Sequence, residues 1–145
     1  MSINSEPSAE DAVRRLIALY AFKLDDRDYT ALATMLHEDC IMAVGTFRLT
    51  GRDEMISSVA GMQTQEPGRH LLGPTVVQLD DESHASAWTD MVGIVPGPDN
   101  TQIIAGTWRY HDRLVLTEDG WLFTHRFLHS PAEPLMSGAP SVPTR

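Results

Sequence analysis

Apolar positions recur at helical spacing in the first part of the chain and at strand spacing in the second. Val13, Leu16, Ile17, Tyr20 and Leu24 fall three or four residues apart, which predicts one amphipathic helix over residues 9–25. Ser8, with an acid three residues on at Asp11, supplies the N-terminal cap such a helix needs. Asp25-Asp26-Arg27-Asp28 then interrupts the stripe, and Asp28 can cap a shorter second helix carrying Leu32, Met35 and Leu36. An extended stretch at 40–44 leads through Gly45 to another at 47–49. Thr50 with Asp53 repeats the cap signature before a third helix marked by Ile56, Val59 and Ala60, and 63–68 reads as a loop.

Beyond that loop the period shortens. Residues 75–79 are β-branched and apolar, Asp80-Asp81-Glu82-Ser83 is a turn, and 84–95 reads as a long strand closed by Pro96-Gly97-Pro98. A further strand is expected over 101–117, with Asp119-Gly120 as a hairpin turn into 121–129. Pro131, Pro134, Pro140 and Pro143 exclude helix or central strand from the last residues, which form a tail or a lid. The expected organisation is a disordered lead at 1–7, one domain over 8–130 and a Pro-rich tail at 131–145. Helices followed by a run of antiparallel strands make an α+β pattern. A curved sheet wrapped over helices would leave an apolar pocket between the layers.

Composition narrows the function classes. A chain of 145 residues is long enough for one substantial core. A net charge of −9 argues against nucleic acid or an anionic membrane as partner. No apolar run approaches the roughly 20 residues that span a bilayer. The opening MSINSEPSAED has neither the basic nor the hydrophobic region of a secretion signal, so a cytoplasmic location is expected. The single cysteine, Cys40, excludes an internal disulfide and a multi-cysteine metal site. His125 and His129 would suit a metal only on a helix, since along a strand they lie about 13 Å apart. His37, His84 and His111 are expected at the surface. No Gly-rich phosphate loop or metal cluster calls for a cofactor.

The pieces LYAFKLDDRDYTALATMLHEDC (19–40), LTGRDEMISSV (49–59), GRHLLGPTVVQLD (68–80) and DGWLFTHRFLH (119–129) resemble the SnoaL-like proteins of the NTF2-like superfamily. The resemblance covers roughly residues 9–130. It implies an α+β cone, with N-terminal helices packed on a strongly curved, mostly antiparallel sheet enclosing an apolar pocket. One branch of that superfamily uses an Asp–His pair for cofactor-free elimination: the bile-acid 7α-dehydratases, scytalone dehydratase and hexachlorocyclohexane dehydrochlorinase. The resemblance puts Asp25 at the dyad aspartate, His70 at the histidine base, Arg126 at an active-site arginine of the last strand and Tyr20 at a tyrosine or lysine position.

The residues themselves carry part of this. An acid at the C-terminus of a helix opposes the macrodipole, so Asp25 invites a reason. A carboxylate that orients an imidazole is a standard way to build a general base near pH 7. Arg126, on a strand beside Leu122, Thr124 and Leu128, needs a buried partner or a bound anion; a structural ion pair and a catalytic role both fit. Tyr20 and Asp25, five apart, differ by about 140° around a helix and share no face unless the helix ends first; a core tyrosine is the alternative.

The expected function is a cofactor-independent lyase of dehydratase type, or an isomerase, acting on an apolar cyclic small molecule. In that reading His70 takes a carbon-bound proton, Asp25 orients it, and Tyr20 and Arg126 donate hydrogen bonds to developing charge. The alternatives are a polyketide cyclase using the same dyad, and a non-catalytic binding or dimerisation module. The superfamily resemblance also implies a homodimer or homotrimer.

Overall fold

The computed structural model describes residues 5–63 and 65–145, so the first four residues of the expected lead lie outside it. Helix α1 spans Ala9–Asp25, and the Ser8 hydroxyl accepts from the Asp11 N–H at 3.1 Å as its cap. Val13, Ile17, Tyr20 and Leu24 form its buried stripe. Helix α2, Tyr29–Ala33, is capped by Asp28 but stops before Met35 and Leu36, which the sequence pattern had placed in it. Strand pairing takes those residues: strand β1, Leu36–Val44, starts at Leu36 opposite Phe123, and the Phe123 N–H donates to the Met35 carbonyl. A short strand β2, Phe47–Thr50, precedes helix α3, Arg52–Met62. Its N-cap is Gly51 rather than Thr50, and Glu54, not Asp53, reaches back to the Thr50 N–H.

Strand β3 runs Arg69–Leu79 and so takes in His70, which lies on the strand instead of before it. Gly73 and Pro74 hid this in the sequence; a register shift between Leu72 and Thr75 absorbs them within the ladder. Strands β4 (His84–Pro96), β5 (Gln102–Thr117) and β6 (Gly120–His129) complete one open sheet of order β2-β1-β6-β5-β4-β3. Only β1 and β6 pair parallel; every other neighbour is antiparallel. The helices cover one face, where Val13, Ile17 and Leu24 pack with Leu36, Val77, Ala87, Leu114 and Phe123. Cys40 lies in this core, and burial pushes its thiol up to about 12. Among the described residues no helix is long and apolar enough to cross a membrane.

A bulge in β6 overturns the simple alternation read from the sequence. Phe123 pairs with Leu114 and His125 with Arg113, so Thr124 is an extra residue on β6. Parity flips there, and Arg126 shares its face with Phe123 rather than with Leu122 and Thr124.

The Pro-rich tail runs over the opposite, outer face. The Trp88 indole N–H donates to the Pro140 carbonyl at 2.9 Å, and His111 Nδ1–H donates to the same oxygen at 2.7 Å. His111 is therefore buried, not a surface residue. Burial lowers its pKa, and its Nε2 has no partner among the described residues. A histidine depressed in the folded state stabilises fully above its ordinary value near 6.5, and that contribution is lost as pH falls through the folded value. Thermal stability is accordingly expected to drop as pH falls from about 7 to 5. In His111→Phe that part of the slope should disappear, and melting curves across this range measure it.

Candidate active site

The end of α1 aims Asp25 at β3. The Asp28 N–H bonds back to the Lys23 carbonyl at 2.9 Å and the Arg27 N–H to the Leu24 carbonyl at 3.2 Å, a Schellman ending. Arg27 takes the left-handed position of this motif (φ 57°), where glycine is usual, and its guanidinium reaches the Gln65 carbonyl. Gln63 closes the same corner, donating to the Leu24 carbonyl at 3.0 Å and accepting from the Tyr29 hydroxyl at 2.8 Å. The chain thus leaves the helix sharply, with Asp25 as its last residue.

Asp25 grips His70 at two points. One carboxylate oxygen accepts from the His70 backbone N–H at 2.9 Å, and the other lies 2.6 Å from ring Nδ1. A carboxylate only accepts, so the ring proton sits on Nδ1 and the Nε2 lone pair is left free. No described residue hydrogen-bonds to Nε2. The Asp25 side chain is 9 % exposed and the His70 side chain 29 %, so the acid is shielded while the ring stays accessible. Both line a cavity of about 310 Å³ walled by Met62, Gln63, Gly93, Ile94 and Trp108, with Arg27, Glu66 and Arg69 at its polar side. A larger cavity of about 570 Å³, which shares Trp108 with it, opens against the Arg109–Asp90 ion pair, His129 and Pro131 and holds neither member of the dyad.

The structure does not bring Tyr20 and Arg126 into the dyad's cavity. Tyr20 is buried in the core, since α1 continues through Asp25 and turns the two side chains apart. Arg126 donates through Nε and Nη2 to the two Asp112 carboxylate oxygens at 2.9 and 3.0 Å, both residues being fully buried. Its guanidinium lies 4.1, 4.0 and 4.2 Å from the ring centres of Tyr20, Tyr110 and Phe123. Burial works against its charge, but the Asp112 carboxylate together with the Tyr110 and Tyr20 hydroxyls outweighs this and raises the Arg126 pKa. Burial likewise raises Tyr20 and Tyr110. Of the two possible partners for Arg126, the structure supplies the ion pair.

Asp112 and Arg27 are the contributors the sequence reading passed over, and Trp108, read as one of several core aromatics of which some should line the pocket, does line it. Asp112 lies between Tyr110 and Leu114 at strand spacing, a faint sign of an acid on an apolar face, but its partner Arg126 is on another strand. Arg27 gave no signal apart from its acidic neighbours. Trp108 is flagged by two glycines, Gly93 and Gly106, in the interior of long strands. Among the described residues no group of three or more His, Cys, Asp or Glu side chains stands together to hold a metal.

The SnoaL-like domain matches residues 5–127. The chain belongs to the SnoaL-like family. That family includes polyketide cyclases and dehydratases. No curated protein matches the sequence. Several solved structures share the fold. One is a Novosphingobium aromaticivorans protein assigned provisionally as a scytalone dehydratase (21% identity, 86% of this chain and 93% of that one, TM-score 0.74). Another, from the same organism, is an NTF2-like protein with a cystatin-like fold (22% identity, 90% and 86%, TM-score 0.76). ActVI-ORFA from Streptomyces coelicolor is similar as well (18% identity, 86% and 98%, TM-score 0.76). At these identities the likeness concerns the fold, which in this SnoaL-like chain is an open α+β sheet with helices on one face.

Proposed function

We propose that this SnoaL-like protein is a cofactor-independent lyase of dehydratase type, or an isomerase, acting on a cyclic apolar small molecule through the Asp25–His70 dyad. The observation that carries the reading is the two-point grip of Asp25 on His70 at the wall of a cavity, with Nε2 unengaged. In elimination, Nε2 takes a proton from the carbon beside a carbonyl. The freed electron pair forms the double bond as the hydroxyl leaves the next carbon, and the proton returned by His70 completes the departing water. In isomerisation the same proton is given back at a different carbon.

The donor roles first expected of Tyr20 and Arg126 fit this geometry less well than structural roles. Arg126 pairs with Asp112 in the core, and the Arg126 guanidinium stacks on the Tyr20 ring. Polyketide-type ring closure, which family membership favours as the second reading, uses the same base to form a carbon–carbon bond. A cyclic β-hydroxy ketone separates the two: the growth of conjugated-enone absorbance, lost in His70→Asn, is expected for the lyase. Ring-closed product from an open polyketone, without enone, would favour the cyclase. We also propose a homodimer or homotrimer in the cytoplasm; light scattering after size exclusion giving only monomer would contradict the assembly.

A further inference from the structure

Gly93 and Gly106 face each other across β4 and β5, and His70 is the next partner of Gly93 on β3. Neither glycine has the positive φ that would require it, so backbone conformation does not account for them. Space does. A Cβ on Gly106 would come within 2.4, 2.8 and 3.0 Å of three carbons in the six-membered ring of Trp108, and one on Gly93 within 3.3 Å of the same ring. The indole therefore lies on a bare shelf of backbone spanning two strands. Glycine inside a strand weakens it, and here two are spent beside each other next to the dyad histidine. Trp88 and Trp121 are buried, whereas Trp108 is half-buried and lines the dyad's cavity.

We infer that Trp108, seated on the Gly93–Gly106 shelf, is the stacking wall that selects flat, conjugated rings and holds them beside His70. The inference rests on the dyad cavity being the ligand site. An indole face takes a flat ring in offset stacking, while a puckered saturated ring of the same size touches it only through scattered hydrogens. The shelf fixes the indole at one height, so the stacked ring is held in one plane relative to Nε2. A methyl at position 106 would lift the indole and spoil that placement without removing it.

The test uses the full chain and two probes of matched size and similar polarity, 2-naphthol and trans-decahydro-2-naphthol, with dissociation constants from calorimetry. Wild type is expected to prefer the flat probe by about ten-fold. Trp108→Leu keeps an apolar wall without a π face and should bring the preference below about two-fold, with Gly106→Ala moving it the same way. Melting temperatures within a few degrees of wild type certify both variants. Failure of 2-naphthol to bind, no preference in wild type, or a preference unchanged in Trp108→Leu would each overturn the inference. The His70 ring resonances distinguish this from the dyad reading. If they move on binding while Trp108 has no effect, the stacking wall fails and the dyad cavity stands. A Trp108-dependent preference that leaves His70 unmoved would overturn the placement beside the dyad.

Discussion

Asparagine at position 70 is expected to lower turnover by about 10²–10⁴-fold, the usual contribution of a positioned general base. The loss should fall on kcat more than on KM, because His70 presents a single ring edge to the cavity while the walls are formed by other residues. Asp25→Asn is expected to cost a similar factor for a different reason. An amide can offer its nitrogen as donor toward Nδ1, which would move the ring proton to Nε2 and cap the base. The same change leaves an oxygen for the His70 backbone N–H, so the start of β3 should stay in place. Melting temperatures close to wild type for both variants, with activity lost in both, would separate chemistry from folding. Either variant keeping more than about a tenth of wild-type activity would contradict a general-base role.

The largest effect on stability is expected at Arg126. Arg126→Met leaves Asp112 as a buried carboxylate stripped of its partner, which costs about 3–5 kcal/mol. In a chain of this length that lowers the melting temperature on the order of 10 °C. The double variant Arg126→Met/Asp112→Leu removes both charges and should recover most of the loss, since apolar groups of similar volume often replace a buried pair without penalty. The cation also sits against three aromatic rings, so some deficit should persist from lost stacking. Urea unfolding of the single variants and the double variant gives the coupling energy. Additive losses would mean the pair contributes nothing as a pair.

Much of the fold was legible because the hydrophobic period changes once, from helical to extended, and because Ser8 and Asp28 mark their helices by capping. The errors fell where pairing overrode local preference. Met35 and Leu36 read as helix but were taken into and beside β1, and Gly73-Pro74 masked the first half of β3. The inserted Thr124 shifted the face of Arg126, and no periodicity argument contains an inserted residue. Asp25 and His70 were legible as candidates from the acid's position against the helix dipole and from the resemblance. Their contact depends on the Schellman turn and on β3 beginning at Arg69, and neither is written locally in the sequence. Asp112 went unseen because its partner lies on another strand.

The claim that His70 and Asp25 together abstract a proton from carbon can be tested without knowing the substrate. Elimination, isomerisation and ring closure all begin with that step, so exchange of the C–H beside the carbonyl of a cyclic ketone such as 2-tetralone, followed by NMR in deuterated buffer, reports on it directly. Wild-type protein is expected to accelerate the exchange well above buffer, and His70→Asn and Asp25→Asn to return it to the buffer rate. Exchange at the buffer rate with wild type, or acceleration that survives in both variants, would contradict the account.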